Sequence, residues 1–435
     1  MMTKRPAHPH DDDAWVASWV CALVFAAICV VGVFRSDDRD ITSEAFDQNH
    51  HHLPVVRAFA SDFPRVDLSD YASATAPAWH LVLAGVQAAG ASDTGLRLMA
   101  VLAGAALIGL CVSVSGRWTG PATATALALP LALSPYALSG SIWITTDVPA
   151  TLCIAGAIGA SLLGATASAG LASWLAVGIR QSSVWVTAPV ALLIARTAVL
   201  PHGRLRDRVQ AVGVAVLPAL ITLGVLVWLW GGLTPPSYRS LHDRGMNLAG
   251  PALFLSLCCC WGLPLGWGAL PELLRTPKLL RLAGLGAVAA LMLAVIPETA
   301  YSTTQGRWGG PLWSLVQAAP SFNGRSLVFI LLAPLGVIAV LALHHRAVRC
   351  GNRFESLALL LSLLGLMAAN AANTQAWERY CDLPLLVLLP WMAALGASGP
   401  GVEDRAMAIR LGAVVVAGVQ AALSVPMVIA PILRG

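Results

Sequence analysis

Residues Trp15 to Phe34 read WVASWVCALVFAAICVVGVF, twenty residues with no charge and a single hydroxyl. At about 1.5 Å per residue such a helix is roughly 30 Å long, the thickness of a bilayer's hydrocarbon core. The run follows Lys4 and Arg5 and ends at the charged stretch Arg35 to Asp40, with no small-residue cleavage site between them, so it is expected to stay as an uncleaved first span. Further apolar runs repeat the pattern along the 435 residues, of which 57% are hydrophobic and 11% charged, against roughly 25% charged in globular proteins. Mean hydropathy is +0.72. These values exclude a soluble, disordered, disulfide-scaffold or coiled-coil chain, and continuous rather than alternating apolar runs argue against a barrel.

The expected fold is therefore all-α, a polytopic transmembrane helix bundle of about 11–14 spans treated as one integral membrane domain over residues 1–435. The candidate spans are Trp15–Phe34, Pro77–Gly90, Gly95–Val114, Ala122–Leu138, Thr145–Leu163, Leu171–Ala195, Val209–Trp230, Pro251–Trp267, Leu280–Ile296, Leu327–Leu343, Leu357–Asn370, Tyr380–Leu395 and Leu411–Ile432. The span Leu171–Ala195 carries Arg180 and Gln181 in its middle, where a break would change the count.

The net charge of +5 is not a nucleic-acid footprint, because the basic residues fall in short clusters between apolar runs. His202–Arg208, Arg275–Arg281, His344–Arg353 and Glu403–Arg410 are Arg-rich, and two apolar runs separate each from the next. Cationic loops stay cytoplasmic, which places these loops and the N-terminus inside. Gly231–Gly250, Glu298–Arg325, Ala371–Tyr380 and the long first loop, residues 35–76, are then extracytoplasmic, and the chemistry is expected there. The nine cysteines form no CxxC pair and read as small buried hydrophobes.

Polar groups at membrane depth are costly, so those beside apolar runs carry the functional signal. Glu44-Ala45-Phe46-Asp47-Gln48-Asn49-His50-His51-His52-Leu53-Pro54 sets two acids about ten residues after the first span. Successive histidines point about 100° apart on a helix and make poor metal ligands together, and a solvated loop explains them equally well. In Asp70-Tyr71-Ala72-Ser73-Ala74-Thr75-Ala76-Pro77, Thr75 is a candidate helix cap and Pro77 suits a first turn. Asp147 enters an apolar run as either a helix cap or a substrate contact. Arg180, followed by Gln181, has apolar segments on both sides and is suited to bidentate phosphate binding, with snorkelling as the alternative. Trp377-Glu378-Arg379-Tyr380 could cap a helix, or hold a lipid phosphate or a sugar hydroxyl. No P-loop, Rossmann, zinc-protease or serine-hydrolase motif occurs in a fitting context.

In this order the motifs resemble those of the GT-C superfamily, polytopic transferases that use polyprenyl-phosphate sugars on the non-cytoplasmic face. The matching pieces are Asp47 to Pro54, Ala74-Thr75-Ala76-Pro77, Arg180-Gln181-Ser182-Ser183-Val184-Trp185, Gly231-Gly232 and Trp377-Glu378-Arg379-Tyr380. Within the superfamily they look most like the α-1,2-glucosyltransferases that complete dolichol-linked oligosaccharide. That family has an Asp-Glu pair where this chain has Asp47-Gln48, with one residue fewer before its His-x-Pro, so Glu44 competes as the base. The resemblance implies an inverting transfer with Asp47 as general base, while Arg180, Gln181 and Arg379 hold the donor phosphate. His51, His52, Thr75, Trp377 and Glu378 would contact substrate. It implies a polyprenyl-phosphate sugar donor, a glycan or lipid-linked acceptor, no nucleic acid and no required cofactor, with a divalent metal left open. Composition and short loops suggest a bacterial cytoplasmic membrane. A transporter or flippase of a lipid-linked saccharide would also use an arginine near a phosphate and discontinuous helices, and a non-catalytic scaffold would use the same groups as caps and anchors.

Overall fold

The computed structural model describes residues 11–36, 39–197, 205–239, 245–398 and 402–434. Lys4, Arg5, Asp37, Asp38 and His202 to Arg204 of the expected topology signals lie outside them, as do residues 240–244 of the loop Gly231–Gly250. The first helix, α1 (Asp11–Arg35), leads to α2 (Ser43–Asp47), a π-turn over Gln48–His52, and α3 (Leu53–Asp62). Then come α4 (Ala78–Ala88), α5 (Asp93–Gly116), α6 (Pro121–Ala132), α7 (Pro135–Ile142), α8 (Asp147–Leu162), α9 (Thr166–Ile179), a 3₁₀ turn at Gln181–Val186, α10 (Thr187–Thr197) and α11 (Leu205–Trp230). The second half holds α12 (Gly250–Gly266), α13 (Leu270–Leu274), α14 (Pro277–Val295), α15 (Pro311–Ala318), α16 (Leu327–Arg349), α17 (Arg353–Ala371), α18 (Arg379–Leu395), α19 (Val402–Ser424) and α20 (Ala430–Arg434). A hairpin of β1 (Ser321–Phe322) and β2 (Arg325–Ser326) turns at Asn323-Gly324 with both residues at positive φ, as a two-residue turn requires.

Among the described residues eight helices are long and apolar enough to cross a membrane, or nine if the bent pair α6–α7 counts as one span, so the chain is an integral membrane protein of helical-bundle type. The rest of the thirteen expected runs form shorter or broken helices. Pro77–Gly90 is not a span: α4 has 11 residues, about 16 Å, and lies in a hairpin with α3. Leu171–Ala195 is broken, because α9 ends at Ile179, Arg180 is extended, and the chain resumes as the 3₁₀ turn and α10. Ala122–Leu138 bends by 70° between α6 and α7, where Pro135 opens a new helix capped by Ser134 Oγ on the Tyr136 amide. The carbonyl of Leu133, freed by the bend, accepts from Ser424 Oγ of α19 at 2.7 Å.

Small residues set the helix spacing. Gly104, Gly109 and Gly116 of α5 lie against Phe25, Ala22 and Ala14 of α1, so the two helices run antiparallel in close contact. A Cβ on Gly336 of α16 would land on the Leu255 carbonyl oxygen of α12. The centre of the bundle is α18, buried from Cys381 to Leu395, whereas α11 and α14 face outward with most of their apolar surface exposed. One end of the bundle gathers Arg275, Arg281, Arg346, Arg349, Arg353, Arg405 and Arg410, with Arg346 held by Glu272 at 2.7 Å. At the other end the loops tie to one another. Trp230 Nε1 donates to Leu68 O at 2.9 Å, Asn247 N to Ala371 O at 3.0 Å, and Ala376 N to Gly306 O at 2.8 Å.

Candidate active site

The loop end surrounds a cleft of about 500 Å³ lined by Asp47, His51, His52, Thr75, Asp147, Arg180, Tyr238, Trp377, Arg379 and Tyr380, among others. Six of the expected site residues, Asp47, His51, His52, Thr75, Trp377 and Arg379, thus meet Arg180 in one place although they come from four segments of the chain. The break after α9 is what presents Arg180: its amide makes the last helical bond, to Ala176 O, but its backbone is extended and its carbonyl accepts from Ser183 N, three residues on, instead of continuing the helix. Its side chain pairs with Asp147, the first residue of α8, and stacks over the Tyr380 ring at 4.5 Å from the centroid. Arg379, at the start of α18, pairs with Asp47 and lies 4.7 Å from the Trp377 ring centroid and 5.5 Å from that of Tyr380. Two Asp–Arg pairs therefore flank one tyrosine ring. The arrangement is mostly shielded, with 14–17% side-chain exposure for all four charged groups.

From Arg180 and Tyr380 two further clefts open. One reaches outward past Thr75, Gln181, Leu233 and Met246. The other runs beside α8 and α17, lined by Ala150, Ile154, Trp185, Leu366 and Ala369 as well as by Asp147 and both arginines. A charged centre with a mainly apolar outward branch and a narrower branch of mixed character beside α8 and α17 suits a ligand that has an anionic group and a greasy tail.

The three histidines take three separate partners. His50 Nε2 meets Asp40 at 2.7 Å on the surface, His51 Nδ1 meets the Tyr238 hydroxyl at 2.6 Å, and His52 Nδ1 meets His80 Nε2 at 3.0 Å in the interior. Burial, with His80 and the two arginines adding to it, pushes the His52 imidazole well below its ordinary range and keeps it neutral. Among the described residues no three His, Cys, Asp or Glu side chains are grouped to hold a metal ion, and each cleft carboxylate already holds a guanidinium, so the donor set does not fit a divalent metal.

Four side chains sit where their sequence context did not place them. Thr75 does not cap α4, whose N-cap is Pro77 with no side-chain bond. It lies in a turn closed by Ser73 Oγ at 3.1 Å and by Tyr71 Oη donating to its carbonyl at 2.7 Å. Glu44 is buried with Ser43 Oγ donating to it at 3.0 Å and is not among the residues lining the cleft with Asp47. Burial pushes its carboxyl upward, against the opposing pull of Arg379. Glu378 turns away from the cleft and accepts the Leu312 amide at 2.7 Å, capping α15. Its carboxyl is pushed up to about 8 by burial and by neighbouring Asp382. Gln181 spends its amide on Ala74 O and Leu233 O, both at 2.8 Å, and lines only the outward cleft of the three.

Gln48, at the position of the second acid in the resembling family, is structural: its Oε1 accepts the Ile144 amide at 2.9 Å, fastening the first loop to the α7–α8 junction. Tyr238, Tyr380 and Asp147 are among the cleft residues that the expected site did not include. Asp147 was visible as a polar residue entering an apolar run. Tyr238 carried no such signal.

No family model matches the sequence, and no curated protein matches it. Two solved structures that do match are of ArnT from Cupriavidus metallidurans, one in the apo state and one bound to undecaprenyl phosphate. They are 16% and 17% identical to this chain, cover 96% and 93% of it and 78% of their own lengths, and superpose with a TM-score of 0.41 each. At that score the likeness is one of general helical architecture and fixes neither family nor substrate.

Proposed function

We propose that this chain is a membrane glycosyltransferase of GT-C type. It moves a sugar, a hexose such as glucose being the first candidate, from a polyprenyl-phosphate donor to a glycan or lipid-linked acceptor. The site faces the extracytoplasmic side of a bacterial cytoplasmic membrane. The observation that carries this reading is the meeting of Arg180, Arg379, Asp47 and Asp147 around Tyr380, in a cleft at the end of the bundle opposite the Arg-rich loops. Basic loops on the cytoplasmic side leave the cleft outside.

In the proposed reaction the acceptor oxygen attacks the anomeric carbon as Asp47 takes its proton, and the polyprenyl phosphate leaves from the opposite face of the sugar. One base suffices for an inverting transfer, and the growing charge on the leaving phosphate falls to Arg180 and Arg379. Guanidiniums bind phosphate oxygens in pairs and stay charged at any physiological pH, so no metal is needed for that step. The burial of Glu44 outside the lining of the cleft that Asp47 enters supports Asp47 as the base instead. His51, Thr75 and Trp377 line the space left for the sugar, while the mainly apolar outward cleft past Leu233 and Met246 would take the first prenyl units.

The transporter reading is favoured by one observation: the spans α6–α7 and α9–α10 are both interrupted, the second at Arg180. A single experiment separates the two. Protein reconstituted in vesicles is given a panel of radiolabelled polyprenyl-phosphate hexoses and pentoses, and both transfer to acceptor and movement of the lipid-linked sugar across the bilayer are read. Incorporation of label into acceptor is the expected result. Translocation without incorporation would replace the transferase by a transporter.

A further inference from the structure

The two arginines and the two aspartates cancel one another's charge before any substrate arrives. Asp47 holds Arg379 and Asp147 holds Arg180, all four groups are largely out of water, and both guanidiniums lie within 5.5 Å of the Tyr380 ring centre. Each pair engages Asp47 Oδ2 or Asp147 Oδ1 and one guanidinium nitrogen, so an acceptor hydroxyl and a donor phosphate must compete with the pair for those atoms. In the empty site the base and the phosphate ligands are thus partly spent on each other.

Resting on the transferase reading above, we infer that the donor's phosphate arms the site by ion-pair exchange: it draws Arg180 from Asp147 and Arg379 from Asp47, and so frees Asp47 to act as base only when a donor is bound. The exchange involves no covalent step. Two Arg–Asp pairs open, Arg–phosphate contacts form on an anionic phosphodiester, and the released carboxylates turn to the cleft they already line. Each guanidinium keeps a second partner through the swap: Arg180 the face of Tyr380, and Arg379 the rings of Trp377 and Tyr380. A base that is released only by the donor phosphate would leave the empty site inert. Asp147 is then a positioning residue. It touches neither acceptor nor anomeric carbon and acts by competing for Arg180.

Competition has a signature that a structural role lacks, because removing the competitor tightens ligand binding. If Arg180 is free of Asp147 about one time in ten, abolishing the pair raises affinity for a lipid phosphate about tenfold. The probe is a polyprenyl monophosphate titrated onto the full-length protein in nanodiscs, with inorganic phosphate as a headgroup control. Wild type, Asp147→Asn, Asp147→Glu, Asp47→Asn and Arg180→Ala are compared, with binding and sugar transfer both measured.

The expected result is about tenfold tighter binding in Asp147→Asn together with slower transfer, near wild-type affinity in Asp147→Glu, and weak binding in Arg180→Ala. Unchanged or weaker binding in Asp147→Asn overturns the exchange while leaving the transferase reading intact. Wild type that binds no polyprenyl phosphate sinks that reading itself. Should Asp147→Asn not fold with Arg180 uncompensated, Asp47→Asn tests the same idea at the other arginine, where tighter binding is again expected and looser binding contradicts it.

Discussion

A carboxyl group taken out of water keeps its proton, and Glu378 shows this most clearly. Its carboxyl is raised to about 8 from an ordinary 4.5, mainly by burial and then by Asp382, while the Leu312 amide pulls the other way. Folded chains therefore hold a proton there that unfolded chains have lost, between about pH 4.5 and about pH 8. The favourable contribution is complete below the lower value and drains away as pH rises through the upper one. Thermal unfolding in detergent should show melting temperature falling between about pH 4.5 and about pH 8, and Glu378→Gln, which keeps an acceptor for Leu312 N, should flatten part of that slope. Equal slopes in the two proteins would mean Glu378 is ionised throughout. At this scale the sequence was legible only in part. It singled out Asp47, Arg180 and Arg379, which the fold brings into one cleft, because charge beside apolar runs needs a reason. It could not separate Glu44 and Glu378 from them, since burial behind a helix end leaves no local trace. The Asp147–Arg180 pair joins the start of α8 to the break after α9, so each residue could be read only alone.

Helices α12 and α16 approach so closely that the Leu255 carbonyl occupies the place of a Gly336 side chain. Gly336→Ala is therefore expected to cost about 1–3 kcal/mol through overpacking and to lower the melting temperature measurably. Gly224 of α11 has nothing within 4 Å of its missing Cβ, and Gly224→Ala should leave stability unchanged or slightly raised. Equal losses in both would show that helix spacing is not set by these glycines. Elements long enough to span were legible from hydropathy alone, as α1, α5, α11 and α16 attest. The failures have a common cause: hydropathy measures apolar length and not direction. Pro77–Gly90 is apolar because α4 packs into the first loop's hairpin. Leu171–Ala195 is apolar on both sides of a break that only Arg180 and Gln181 hinted at.

Taken whole, the molecule separates its charges. Arginines in short loops gather at one end, and the paired charges of the cleft sit at the other, where loops from both halves of the chain interlock. If the Arg-rich end is cytoplasmic, a cysteine placed at Phe322 of the β-hairpin should react with an impermeant thiol reagent in intact cells. One placed at Thr276, between α13 and α14, should react only after permeabilisation. The reverse pattern would put the cleft on the cytoplasmic side and remove its proposed access to an outward-facing donor. The central claim is that Asp47, and no other carboxylate of the first loop, is the base of a sugar transfer at this cleft. Its most direct test is transfer from a polyprenyl-phosphate sugar by wild type, Asp47→Asn and Glu44→Gln at equal amounts of folded protein. The expected result is a loss of about 10²–10⁴-fold in Asp47→Asn with lipid-phosphate binding retained, and transfer by Glu44→Gln within a few-fold of wild type. Full transfer by Asp47→Asn, or its abolition in Glu44→Gln alone, would contradict the account and move the base three residues upstream.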